Sequence, residues 1–175
     1  MTNKNQLKTT EDQALIDQVR VNVAFEQMIV AVLAGAASGG AMTLAVKLVR
    51  VILTDLSFSA LLAVVLDTLL VSFLIFLVGF FASVAVGAPL FMFLEKRKRR
   101  TLWPYLAAAL AAAITVLFFT AGGFPSAVGI EAVTAIFAPA VVIALIFARL
   151  MKPHWRAAEK AEAEAAAGPV IFRLH

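Results

Sequence analysis

Cysteine is absent from the 175 residues, which excludes disulfides, thiolate zinc sites, covalently attached haem and cysteine nucleophiles. Histidine is nearly absent. His154 and His175 are the only two, and both lie beyond the apolar runs, so no imidazole stands inside a helical span to ligate a b-type haem. Serine, threonine and aspartate are scattered without a companion histidine, and the glycine-rich stretches fall inside apolar runs rather than between a strand and a helix. No phosphate loop or metal triad can be written from them. The expectation is a chain with no catalytic residue, cofactor or metal. Charge is scarce as well. With 15% charged and 62% hydrophobic residues and a mean hydropathy of +0.95, the chain is too apolar for one water-soluble core of this size. A bilayer is the solvent for most of it.

A helix needs about 20 mostly apolar residues, at about 1.5 Å each, to cross about 30 Å of hydrocarbon. Four such runs are present, at about 27–46, 68–94, 103–120 and 128–150. The fold class predicted is therefore all-α: an integral membrane bundle of four transmembrane helices, 27–150, with N-terminal (1–26) and C-terminal (151–175) cytoplasmic extensions. The first run is read as a retained span rather than a signal peptide. Lys4, Lys8 and Arg20 before it are balanced by Glu11, Asp12 and Asp17, and the apolar run continues past the small residues Ala34 to Gly40. Thr10 with Gln13 reads as a capping box that opens a short N-terminal amphipathic helix. Pro89 is expected to kink the end of span two, Pro104 suits the first turn of span three, and Pro139 lies in the middle of span four. Gly122-Gly-Phe-Pro125 breaks the chain between the last two spans. The alanine-rich segment 157–167 continues helix four as a solvated tail. The stretch 47–66, with a polar stripe of Lys47, Arg50, Thr54 and Ser57, is an interfacial helix, an extension of span one or a re-entrant segment, with an ordinary hairpin preferred.

Five consecutive basic residues, Lys96, Arg97, Lys98, Arg99 and Arg100, separate spans two and three. Short loops rich in Lys and Arg remain cytoplasmic, which puts both termini in the cytoplasm of a multi-pass inner-membrane protein. Anionic headgroups attract each such residue by about 1 kcal/mol. Membrane lipids are thus the expected partner of this cluster, with Trp103 and Tyr105 at headgroup depth. Nucleic acid is not, because the charges are pinned between two spans rather than spread with stacking aromatics over a wet face.

Ionisable groups in membrane segments are costly and mark candidate sites. Glu26, Asp67 and Glu131 all fall near an interface, and Asp67 with Glu131 on the outer side forms the candidate proton or cation site. Small residues recur every four positions: Ala31, Gly35 and Gly39 in span one, and Gly79, Ser83 and Gly87 in span two, with Ala108/Ala112 and Ala140/Ala144 beyond. In lipid such stripes let helix backbones approach closely, within the bundle or against self or another membrane protein. Gly87-Ala-Pro-Leu90, the basic cluster and Trp103-Pro-Tyr-Leu106 together resemble a region, about 66–120, of small four-helix bacterial inner-membrane proteins that are generally uncharacterised. The resemblance implies an inner-membrane location and no ligand or activity. The functional expectation is an accessory, assembly or scaffolding role through helix packing, the alternative being a small oligomeric transporter or channel.

Overall fold

The computed structural model describes the backbone of residues 2–54, 57–120 and 130–167, with side chains from residue 18 onward apart from 130–132, 134, 165 and 167. Every element within these residues is helical: α1 (Thr2–Thr54), α2 (Phe58–Ala82), a π-helical turn (Ser83–Gly87), α3 (Ala88–Lys96), α4 (Trp103–Thr120) and α5 (Ile130–Ala167). Helix α1, the continuous α2–π–α3 rod, α4 and α5 are each long and apolar enough to cross a bilayer. The expected break at Gly122 to Pro125 lies outside the described residues.

Three boundaries differ from the sequence expectation. Helix α1 runs unbroken through Thr10, so the capping box does not form. Extending an existing helix adds a hydrogen bond for each residue fixed, whereas a new start bears the cost of nucleation. At its other end α1 continues to Thr54, and α2 starts at Phe58 on an N-cap from Ser57, whose hydroxyl accepts the Ala60 N–H at 3.2 Å. Residues 47–54 are therefore an extension of span one, one of the readings expected, 58–66 open α2, and Ser57 is a cap rather than part of a polar stripe. The second apolar helix accordingly begins ten residues before the expected Thr68.

The kink expected at Pro89 takes the form of the π-turn. Proline has no N–H for the carbonyl four residues back, and its ring crowds that carbonyl. Widening one turn relieves the crowding, and the Ala88 N–H bonds back five residues to Ser83. Pro139 and Pro153 both lie inside α5. Hydroxyls within the helices bond to the preceding turn, Ser38 to the Gly35 carbonyl at 2.8 Å and Ser72 to Thr68 at 2.8 Å. This satisfies them without a partner from another helix.

Helices α1 and α5 form the central pair; α2 lies along α1 and α4 along α5. A buried core lies toward the end nearest the basic loop, where Ala24, Met28 and Ala31 of α1 cluster with Phe91, Leu94, Tyr105, Phe147, Met151 and Trp155.

Candidate functional site

Helix α3 ends in a turn that determines where the basic cluster points. The Lys98 N–H bonds to the Glu95 carbonyl at 2.9 Å and the Arg99 N–H to the Leu94 carbonyl at 2.9 Å, with Lys98 left-handed at φ 53°. This is the Schellman arrangement, in which glycine is the usual occupant of the left-handed position. Lys98→Gly should raise stability by about 1 kcal/mol by relieving the Cβ clash, less the small contribution of an exposed ion pair to Glu162; thermal unfolding in mild detergent measures the difference.

The turn folds Arg100 back onto the protein. Its Nη2 donates to Glu95 Oε1 at 2.7 Å and to Glu162 Oε1 at 2.7 Å, and its side chain is 3% exposed. Lys98 Nζ reaches Glu162 Oε2 at 3.0 Å and Arg20 Nη1 reaches Glu95 Oε1 at 3.5 Å. The Glu95 carboxylate, followed by that of Glu162, pushes Arg100 further above the usual arginine range. In turn the Arg100 guanidinium, then the Lys98 ammonium, holds the Glu162 carboxyl below the ordinary carboxylate range. The assignment of Arg100 to lipid headgroups is thereby corrected: it joins the α3–α4 loop to the charged extension of α5. Lys96, Arg97 and Arg99 are exposed, Arg97 lying over the Phe93 ring at 4.4 Å, and Trp103 is 74% exposed. Tyr105 faces the helix bundle. It is buried, stacked on Trp155 at 5.8 Å and tilted against Phe147 at 5.1 Å.

At the opposite end Lys47 Nζ donates to Asp67 Oδ2 at 2.6 Å, joining α1 to α2. Lys47 is 27 residues from Arg20, or about 40 Å along a straight helix. The two ion-pair layers are thus separated by about the thickness of a bilayer with its headgroups, 40–45 Å. Glu26 is exposed, and the side chain of Glu131 lies outside the described residues.

The small residues of α1 and the α2–π–α3 rod stand at close crossings inside the chain. A Cβ on Gly35 would run into Ile143 and lie 3.2 Å from the Pro139 carbonyl oxygen; one on Gly39 would lie 2.8 Å from Pro139 Cγ and 2.5 Å from Ile75 Cδ1. Gly79 faces Val32 at 3.2 Å and Gly87 faces Met28 at 3.1 Å on the same construction. Ala31 is fully buried, and Ser83 opens the π-turn. Gly40, outside the four-residue stripe, makes a comparable approach, to Ser72. Glu162 and Trp155 have no local signal in the sequence, because their partners lie in distant segments.

Between the α2–π–α3 rod and α4, over a floor of α5, lies a groove of about 450 Å³. The alanines of α4 and α5 that recur at helical spacing, Ala108, Ala112, Ala140 and Ala144, are part of its lining, with Ser83, Tyr105 and Thr120 the polar side chains among otherwise apolar walls. Comparisons with family models, curated proteins and solved structures found no match. The functional reading therefore stands on geometry and chemistry.

Proposed function

We propose that the chain is a multi-pass protein of a bacterial cytoplasmic membrane, both termini inside, with an accessory, assembly or scaffolding role exercised through its helical surfaces. The orientation follows from the positive charge of the short loop after Lys96. The separation of the two ion-pair layers fits a bilayer traversed once by each of α1 and the α2–π–α3 rod. The observation that carries the functional reading is the lining of the groove. A conduction path for ions or protons requires ionisable or convergent polar groups along it, and this groove offers apolar walls with three hydroxyls. Asp67, the described half of the candidate cation site, is neutralised by Lys47. The close crossings at Gly35 and Gly39 serve the chain's own packing, so the surfaces left for a partner are the outer faces, such as that of α2 with Leu66, Leu69, Leu70 and Phe73 exposed.

The test couples reconstitution to partner recovery. A membrane protein should be recovered with the chain in fixed stoichiometry after mild detergent extraction, and a bulky charge at Leu69 or Phe73 should abolish that recovery. Asp67→Asn should leave it intact and change stability by less than about 1 kcal/mol, as for an exposed pair. An ion or proton flux in proteoliposomes that is lost on Asp67→Asn or Glu131→Gln would replace this reading with a transporter.

A further inference from the structure

We propose that the groove between the α2–π–α3 rod and α4 binds one acyl chain of an anionic phospholipid whose headgroup rests on Arg97, Lys96 and Arg99. The groove runs from Tyr105 to Thr120 along α4, about 22 Å at 1.5 Å per residue. A volume of about 450 Å³ spread over that length makes a long, narrow slot. Its length and narrowness suit a single extended hydrocarbon chain. The alanines of α4 and α5 account for the space, since larger side chains there would close it.

Charge selects the headgroup. Leu90 lines the groove near the basic loop, and Arg97, seven residues on, returns to nearly the same helix face. The Phe93 ring beneath the Arg97 guanidinium favours a cation there. Glu95, in the loop's own helix end, and Glu162 are already bonded to Arg100, with Arg20 and Lys98 beside them. Lys96 and Arg99 have no ion-pair partner among the described residues and are exposed. The loop beyond the Leu90 end of the groove therefore presents unpaired positive charge next to an apolar slot, which matches an anionic amphiphile and gives a zwitterionic one less.

The experiment is native mass spectrometry of the full chain in mild detergent, titrated separately with phosphatidylglycerol and phosphatidylcholine. One phosphatidylglycerol should be retained per chain in preference to phosphatidylcholine. Arg97→Ala should weaken phosphatidylglycerol about fivefold, the factor equivalent to the 1 kcal/mol of one basic residue near anionic headgroups, and leave phosphatidylcholine unchanged. Ala112→Phe should remove both by filling the slot, and Ala109→Leu serves if that variant does not fold. Equal retention of the two lipids, unmoved by these substitutions, would reduce the bound lipid to a non-specific annulus and overturn the proposal. So would an Ala112→Phe protein that changes oligomeric state, since the occupant would then be a second copy. Partner recovery is a separate measurement, so this site can fail while the accessory role stands, and the reverse.

Discussion

Gly35→Leu is expected to destabilise the fold by at least about 3 kcal/mol, at the upper end of the penalty for overpacking a filled interior. Even the first added carbon meets the Ile143 side chain and lies 3.2 Å from the Pro139 carbonyl oxygen. Leucine adds three more, and α1 must move away from α5. In lipid nothing compensates for that separation, because apolar side chains gain no hydrophobic free energy by leaving one another for acyl chains, and the van der Waals contact of the close crossing is lost. Ala37→Leu, at an exposed position of the same helix, should be nearly silent. The decisive comparison is Gly35→Ala with Ile143→Ala. Shortening Ile143 removes the atoms that the new Cβ meets, so the double variant should be more stable than the sum of the two single losses predicts. Thermal unfolding of the four proteins in one detergent measures the cycle. Strict additivity would mean that Gly35 and Ile143 do not share a crossing.

The close crossing at Gly35 is also where the sequence is most legible. The four-residue recurrence of Ala31, Gly35 and Gly39 encodes proximity because a helix returns to the same face about every fourth residue. Helical class and the number of long apolar helices follow from run length alone. Asp67 is less legible. A carboxylate in an apolar run marks a span boundary when considered alone, which leads to the expectation of a start near Thr68. Its partner, Lys47, lies on the preceding helix, and only the antiparallel register of α1 and α2 brings the two to 2.6 Å. The basic loop carries the same lesson. Five adjacent cations read as one electrostatic object, yet a left-handed residue at Lys98 reverses the chain, so that Arg100 turns inward while Lys96, Arg97 and Arg99 stay outside. The groove is half legible: the alanine stripes of α4 and α5 stand out as surfaces for close helix approach, yet in the structure they line the space left beside the α2–π–α3 rod.

Arg100→Ala is expected to cost about 2–3 kcal/mol, below the 3–5 kcal/mol for one partner of a fully buried pair because the carboxylates left behind retain some water. Glu95 and Glu162 are 20% and 33% exposed at the side chain, against 3% for Arg100. The loss should be local first. Glu162 is 62 residues from Arg100, and without the guanidinium the charged extension of α5 keeps Lys98 as its one ion-pair partner in the loop among the described residues. Amide exchange over 151–162 should accelerate before the apolar helices respond. Arg100→Lys should recover little, since a point charge cannot bond two carboxylates in the fixed plane of the guanidinium fork. The triple change Arg100→Met, Glu95→Gln, Glu162→Gln should recover most of the stability, because it leaves no buried charge behind and the cations that lose a partner, Arg20 and Lys98, are exposed enough to be solvated. Acid separates the ion pairs from the apolar packing beneath them. The Glu162 carboxyl lies below its ordinary value of 4.5 in the folded protein, so its stabilisation is fully present above that pH and is lost as pH falls through the lower folded value. The wild-type protein should therefore show faster exchange in 151–162 on acidification, a response that Glu162→Gln should lack. A Glu162→Gln protein with unchanged exchange at neutral pH and the same acid response as wild type would place the attachment of the extension in the stacking of Trp155 on Tyr105 instead.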